Sequence, residues 1–236
     1  MKGIEYVGKC LLIKERGERI LVVGDLHLGY EESLNRTGVY VSREMFKEMI
    51  KYLDGVFAKI GEVDRVVLLG DVKHVFGGVL RDEWNGVLGL FEYLEEKCEE
   101  IVIVKGNHDG VLEPIIRGKS KVRLLDYYIW GEYCFVHGDK KFGGMEKSKV
   151  WVMGHAHPAV KISDGVKVEK YKCFLVGRWK RKDVVVVPSF FEGNEGSDPR
   201  ENDLGLAWDL NLKRFNARIV GENLEVLDFG ELGKLN

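Results

Sequence analysis

Apolar positions along the chain follow two rhythms. Met45, Phe46, Met49, Ile50, Leu53, Val56, Phe57 and Ile60 recur three and four residues apart, which predicts an amphipathic helix over 42–60 with Ser42 as its N-cap. A second helix is expected over 82–98. Around them lie short, β-branched apolar runs bounded by turn residues, which predict strands at 20–23, 66–69, 101–104, 133–136 and 150–153. Strands alternating with helices give an α/β fold. After residue 157 the pattern becomes β-rich at 166–179, 184–187, 204–210, 215–220 and 224–227, with no comparable helix. Antiparallel strands are expected there, and a mixed sheet system overall.

Composition narrows the class. The 236 residues suffice for one sizeable core, so one domain over 1–236 is expected. Lys and Arg total 36 against 38 Asp and Glu, and a net charge of -2 excludes binding a polyanion by bulk charge. A local patch or metal ions would have to meet one. Apolar stretches such as 184–187 fall far short of the roughly 18 residues a membrane span needs. The N-terminus lacks the order of a cleaved signal, so a cytoplasmic protein is expected. Cys10, Cys98, Cys134 and Cys173 stand far apart without a C-x-x-C pair and read as reduced, buried thiols.

The five strand-like runs of the first part share a feature that periodicity does not require. Each is followed by a polar cluster: Gly24-Asp25-Leu26-His27, Gly70-Asp71-Val72-Lys73-His74, Gly106-Asn107-His108-Asp109, His137-Gly138-Asp139 and Gly154-His155-Ala156-His157. Loops at the carboxyl ends of strands are where α/β sheets bind ligands, so five clusters could converge on one site. All 6 histidines of the chain lie in these clusters. Neutral imidazole with carboxylate suits Zn, Fe, Mn or Co, whereas Mg and Ca favour oxygen. In an extended segment, His155 and His157 would point to one side.

Asp25-x-His27, Gly70-Asp71, Gly106-Asn107-His108-Asp109, His137 and Gly154-His155-x-His157 resemble the motif series of the calcineurin-like metallophosphoesterases. The resemblance implies a sandwich of two mixed β-sheets flanked by helices, with two divalent metal ions at the strand ends; no capping domain of the kind large nuclease subunits append is evident after residue 157, so a comparatively open site is expected. It implies that Asp25, His27, Asp71 and His157 hold one ion, and that Asp71, Asn107, His137 and His155 hold the other. Mn²⁺ is the leading candidate, with Zn²⁺, Fe²⁺ or Co²⁺ as alternatives. Two cations about 3.5 to 4 Å apart need a shared carboxylate, for which Asp71 is placed, and a shared hydroxide that can attack phosphorus near neutral pH. His108, surplus to the ligand set, is the expected general acid to the leaving oxygen.

One departure from the family pattern directs the substrate reading. Its protein phosphatases follow the second motif with Asp and Arg, where this chain has His74 and Val75. The Gly-Asp-x-x-His arrangement is similar to SbcD-type nuclease subunits and the small archaeal phosphoesterases related to them, some associated with DNA helicase or ligase systems. The expectation is therefore a phosphodiester hydrolase, a nuclease acting on DNA or RNA, with His74 assisting His108 or touching phosphate and with a helicase or ligase-system partner in view. A phosphodiesterase or phosphatase for a small or cyclic nucleotide is the alternative, and a non-catalytic scaffold is the third. Lys140 and Lys141 are expected to meet substrate phosphate. Arg178 to Lys182 form a second basic, aromatic stretch, and Tyr30, Phe76, Phe190 and Phe191 are aromatics that could stack on a base.

Overall fold

A computed structural model describes residues 3–163 and 165–235. The first sheet holds β1 (Ile4–Val7), β2 (Cys10–Glu15), β3 (Glu18–Val23), β4 (Val63–Leu68), β5 (Cys98–Val104) and β6 (Val122–Leu125), side by side in that order. Strands β1 to β3 form an antiparallel meander, and β3 to β6 run parallel. The second sheet comprises β7 (Tyr127–Trp130), β8 (Tyr133–Val136), β9 (Val150–Met153), β10 (Ala159–Ser163), β11 (Val168–Trp179), β12 (Lys182–Val186), β13 (Asn216–Val220) and β14 (Val226–Glu231). Its order is β14-β13-β11-β12-β9-β8-β7, with β10 on the first part of β11. Here β8, β9 and β12 are parallel and the other pairs antiparallel. The helices are α1 (Tyr30–Arg36), α2 (Met45–Ile60), α3 (Arg81–Glu95) and the single turn α4 (Glu113–Ile116).

The continuous apolar strands are explained by burial on both faces. Ile20 and Val22 of β3 face the second sheet, packing with Phe135, Val152 and Val185. Leu21 and Val23 point outward to α2 and α3, against Leu53, Val56, Leu90 and Phe91. Met49, Leu53, Val56 and Phe57 form the buried stripe of α2, each burial worth roughly 1.5–3 kcal/mol. The outer face of the second sheet is covered by the segment around Leu204, Trp208 and Phe215 rather than by a long helix.

Several boundaries differ from the sequence reading. Helix α2 begins at Met45, not at Ser42, because a carboxylate from α1 does the capping: the N–H groups of Glu44 and Met45 donate to Glu31 Oε1 at 2.9 and 3.1 Å. Helix α3 stops at Glu95, and Cys98 opens β5 instead. Residues 204–210 are not a strand. Leu204 and Trp208 are buried there, but the backbone bonds are local or isolated, such as Ala207 N–H to the Gly138 carbonyl at 2.9 Å, so the apolar spacing marks packed coil. The four cysteines are free and buried, as read. Among the described residues no helix is long and apolar enough to cross a membrane.

Candidate metal centre

The five polar clusters follow β3, β4 and β5 in one sheet and β8 and β9 in the other. Pairing of the sheets face to face brings their parallel carboxyl ends together. His137, after β8, has Nδ1 donating to the Leu69 carbonyl after β4 at 2.7 Å. The His155 N–H, after β9, donates to Asp25 Oδ1, after β3, at 3.0 Å.

Five of these residues adopt left-handed backbone: Asp25 (φ 32°), His27 (48°), Asp71 (47°), His155 (65°) and His157 (42°). Each such residue costs on the order of 1 kcal/mol or more, so the surrounding bonds must hold it. The Leu26 and His27 N–H groups both donate to the Asp71 carbonyl, at 3.0 and 2.8 Å. Glycines leave the room: a Cβ on Gly70 would lie 2.5 Å from His137 Nδ1, and one on Gly106 would lie 2.3 Å from Asp71 Oδ1. The left-handed turns also correct the expectation for His155 and His157. They are not on an extended segment, and their imidazoles part into different groups.

Those groups are Asp25 with His27 and His157, and Asp71 with His137 and His155, the donor atoms of each lying within 4.8 Å of one another. Asp71 Oδ2 lies between them, 3.8 Å from His27 Nε2 and 3.4 Å from His137 Nε2. Asn107 Oδ1 joins the second group at 3.0 Å from His137 Nε2. This donor set fits divalent cations. Two buried carboxylates, Asp25 and Asp71, have no Lys or Arg partner among the described residues, and the only ionisable groups they pair with are imidazoles. Two imidazole nitrogens, His27 Nε2 and His157 Nε2, converge at 3.4 Å. Because His137 commits its Nδ1 proton to Leu69, its Nε2 is the free donor, oriented as metal-binding imidazoles are.

The electrostatics follow from burial and mutual charge. Burial alone would raise the Asp71 carboxyl, but the His137 bond outweighs it and holds the group well below the usual range. Asp25 is likewise lowered, its bond to His157 overcoming burial. Burial favours neutral His137, yet Asp71 and Asp25 raise it to about 9. His27 is lowered to about 3, chiefly by burial. His155 is lowered by burial and by the charge of His137.

His108 and His74 stand at the edge of this centre. His108 Nε2 is 3.8 Å from Asp71 Oδ2, and its Nδ1 donates to the His74 carbonyl. The His74 ring stacks on His108 at 5.6 Å between centroids and sets Nδ1 3.5 Å from His27 Nδ1, so His27, His74 and His108 form a third cluster of donors. Burial and the charge of His108 lower the His74 imidazole. Exposed Phe76 lies over the His108 ring at 3.7 Å.

Three residues tie the loops together: Asp109, which the sequence placed in a motif without a role, Phe191, which it offered only as a stacking aromatic, and Glu83, which it did not single out. Asp109, buried, accepts N–H bonds from Val72 and Lys73 at 3.0 and 3.4 Å and from Gly106 at 2.9 Å. Glu83, buried on α3, accepts from the His74 N–H at 2.9 Å and from the Leu80 N–H at 2.7 Å. Phe191 packs its ring edge on His27 at 5.3 Å. The signal for Glu83 was its position three residues past the helix N-cap, where an acid closes the first turn. Among the described residues no bond or ion pair joins Lys140 or Lys141 to the His/Asp groups. Lys140 pairs with Asp139 at 3.5 Å, and Lys141 lines a separate cavity with Trp151, Trp179 and Lys182 beyond the second sheet.

Among solved structures, a nuclease MPE from Pseudomonas putida is similar over 93% of this chain and 100% of its own, with 16% identity and a TM-score of 0.58. The phosphoesterase Yfce from E. coli is 15% identical over 90% of this chain and 98% of its own, with a TM-score of 0.42. A Zn-complexed Vps29 from Entamoeba histolytica is 14% identical over 89% of this chain and 99% of its own, with a TM-score of 0.36. No curated protein matches the sequence. The model of the calcineurin-like phosphoesterase family matches residues 18–220, and the chain belongs to that family of metal-dependent phosphoesterases.

Proposed function

We propose that this chain hydrolyses phosphodiester bonds of nucleic acid at a centre of two divalent ions, with Mn²⁺ the leading metal. The observation that carries the reading is the complete set of donors gathered around Asp71, with His74 stacked on His108 and standing, with Val75, where the family's protein phosphatases have Asp and Arg. Asp25, His27, Asp71 and His157 would hold one ion, and Asp71, Asn107, His137 and His155 the other. When bound, such ions lower the pKa of water so that it attacks phosphorus near neutral pH, and they neutralise charge on the phosphoryl oxygens.

The remaining work falls to the protein. His108 Nδ1–H is committed to the His74 carbonyl, so the proton it can deliver to a leaving oxygen sits on Nε2, the atom facing Asp71. His74 holds that ring by its carbonyl and by stacking. Lys140 and Lys141, three and four residues beyond His137, would meet phosphates further along the strand rather than the scissile one. Four buried, unpaired thiols support a reducing, cytoplasmic compartment.

The test is turnover of bis-p-nitrophenyl phosphate and of labelled single-stranded DNA with Mn²⁺, beside a panel of cyclic nucleotides. Cleavage of DNA that is lost in Asp71→Asn is expected. Turnover of cyclic nucleotides alone would move the substrate to small molecules. No turnover of any substrate beyond the Asp71→Asn background would leave a scaffold.

A further inference from the structure

A cavity of about 560 Å³ opens beside His27, within the size range of sites that hold a small organic group. Leu28, Phe46, Met49 and Phe190 give it apolar walls. Tyr30 and Phe191 stand at the same wall as His27, edge to face at 4.8 Å from each other. The two rings touch each other, so a planar group entering from the metal centre would lie against the aromatic wall they form together with His27.

The charge of the cavity sets what else can enter. Glu31, Glu32, Glu48, Asp82 and Glu192 line it, against two cations, Lys9 and Arg43. Both cations are engaged: Lys9 with Glu192 and with the Phe190 carbonyl at 3.0 Å, and Arg43 with Asp82 at 2.8 Å. Among the described residues the cavity thus offers no unpaired cation to a phosphate. A phosphate carried into it would face carboxylates while losing water, which is strongly unfavourable. The loop after His137 is more open to a phosphate, with Lys141 exposed and Lys140 two-thirds exposed, its pair with Asp139 a looser 3.5 Å.

We propose that the cavity receives one terminal nucleoside of the strand, ending in a free hydroxyl, while the scissile phosphate sits at the His/Asp groups and the rest of the strand leaves past Lys140 and Lys141. The enzyme then works from an end, consuming one water per bond broken. The inference rests on the nuclease reading above and deepens it.

The test compares linear and covalently closed circular single-stranded DNA of one sequence, with Mn²⁺ and with bis-p-nitrophenyl phosphate alongside. Linear strands with hydroxyl ends are expected to lose terminal residues at least about tenfold faster than circles are opened, a preference of the size one well-filled subsite supplies. A phosphate on the engaged end, tried at each end in turn, should slow release about fivefold or more, and Glu48→Gln on the exposed face of α2 should reduce that penalty. Met45→Trp, which fills the cavity from its rim, should bring the ratio of linear to circular cleavage towards one. Equal cleavage of circles and linear strands, with the terminal phosphate and both variants silent, overturns the cavity assignment and leaves the nuclease reading standing. Turnover of bis-p-nitrophenyl phosphate with neither DNA cut overturns the nuclease reading and the assignment with it.

Discussion

On one side of His27 lie Asp25, Asp71 and His137, all under 5% exposed and each fixed by bonds to or from the backbone of another loop. On the other lie Tyr30, Met45 and Phe46, half-buried and positioned by the packing of α1 and α2. The first side spends backbone strain and buried charge to present donors at fixed separations. The second presents a surface whose shape depends on side-chain rotamers. Chemistry that fails when a donor moves by an ångström is placed on the rigid strand ends, and recognition that tolerates adjustment is placed on the helices.

The largest effect should come from the rigid side. Asp71→Asn keeps the shape and the capacity to accept the His108 N–H bond at 3.0 Å, but removes the charge between the two donor groups. Turnover is expected to fall by about a thousandfold or more, with metal content reduced, measured by Mn²⁺ titration and hydrolysis together. Retained activity would break the contrast, because a shared carboxylate would then not matter. His108→Ala should follow, with a loss of roughly a hundredfold on poor leaving groups, little on p-nitrophenolate, and unchanged metal content. Equal losses on both would assign His108 to positioning.

A pH experiment sharpens the same contrast without a mutation. His137 is raised to about 9 by Asp71 and Asp25 despite its burial. Its contribution to the metal-free protein is therefore complete below the ordinary histidine pKa of about 6.5 and is lost as pH rises through about 9. Metal binding needs the unprotonated ring, so the loaded protein does not suffer that loss. The gap in Tm between Mn²⁺-loaded and metal-free protein should widen from pH 6.5 to 9, corresponding to a contribution on the order of 3 kcal/mol. A constant gap would mean that the His137 proton is not displaced.

The same division decided what the sequence could reveal. Strand ends followed by Gly, Asp, Asn and His were legible because a turn carrying a donor needs particular residues at fixed offsets. The stripe of α2 was legible because burial enforces its period. The edge strand β1, with the burial pattern of a half-exposed segment and only four residues, carries too little apolar signal to announce itself. The left-handed turns that part His155 from His157 are signalled by neither residue type, and only the family resemblance had put the two imidazoles on different ions. Glu83 reads as an ordinary helix-start acid, and only the fold shows that its carboxylate also holds the His74 loop. The cavity was illegible for a related reason: its walls come from α1, α2, α3 and residues 190–192, whose apolar positions have the same periodicity whether they close on each other or leave a space.

The smallest predicted effect sits on the border between the two sides. Phe76 is 63% exposed, yet its ring centroid lies 3.7 Å from that of His108, a ring also held by the His74 carbonyl, the stacked His74 ring and the edge-on His27 ring. Removing it should cost almost no stability, since an exposed ring gives up little buried area. It should widen the orientations open to His108 and slow poor leaving groups by about threefold, with metal affinity unchanged. Stopped assays of Phe76→Ala on alkyl and aryl phosphodiesters would resolve this. A Phe76→Leu variant that recovers the rate would show that bulk over the imidazole is what matters. A loss confined to DNA, with both model diesters unaffected, would instead place Phe76 on the recognition side as a stacking surface.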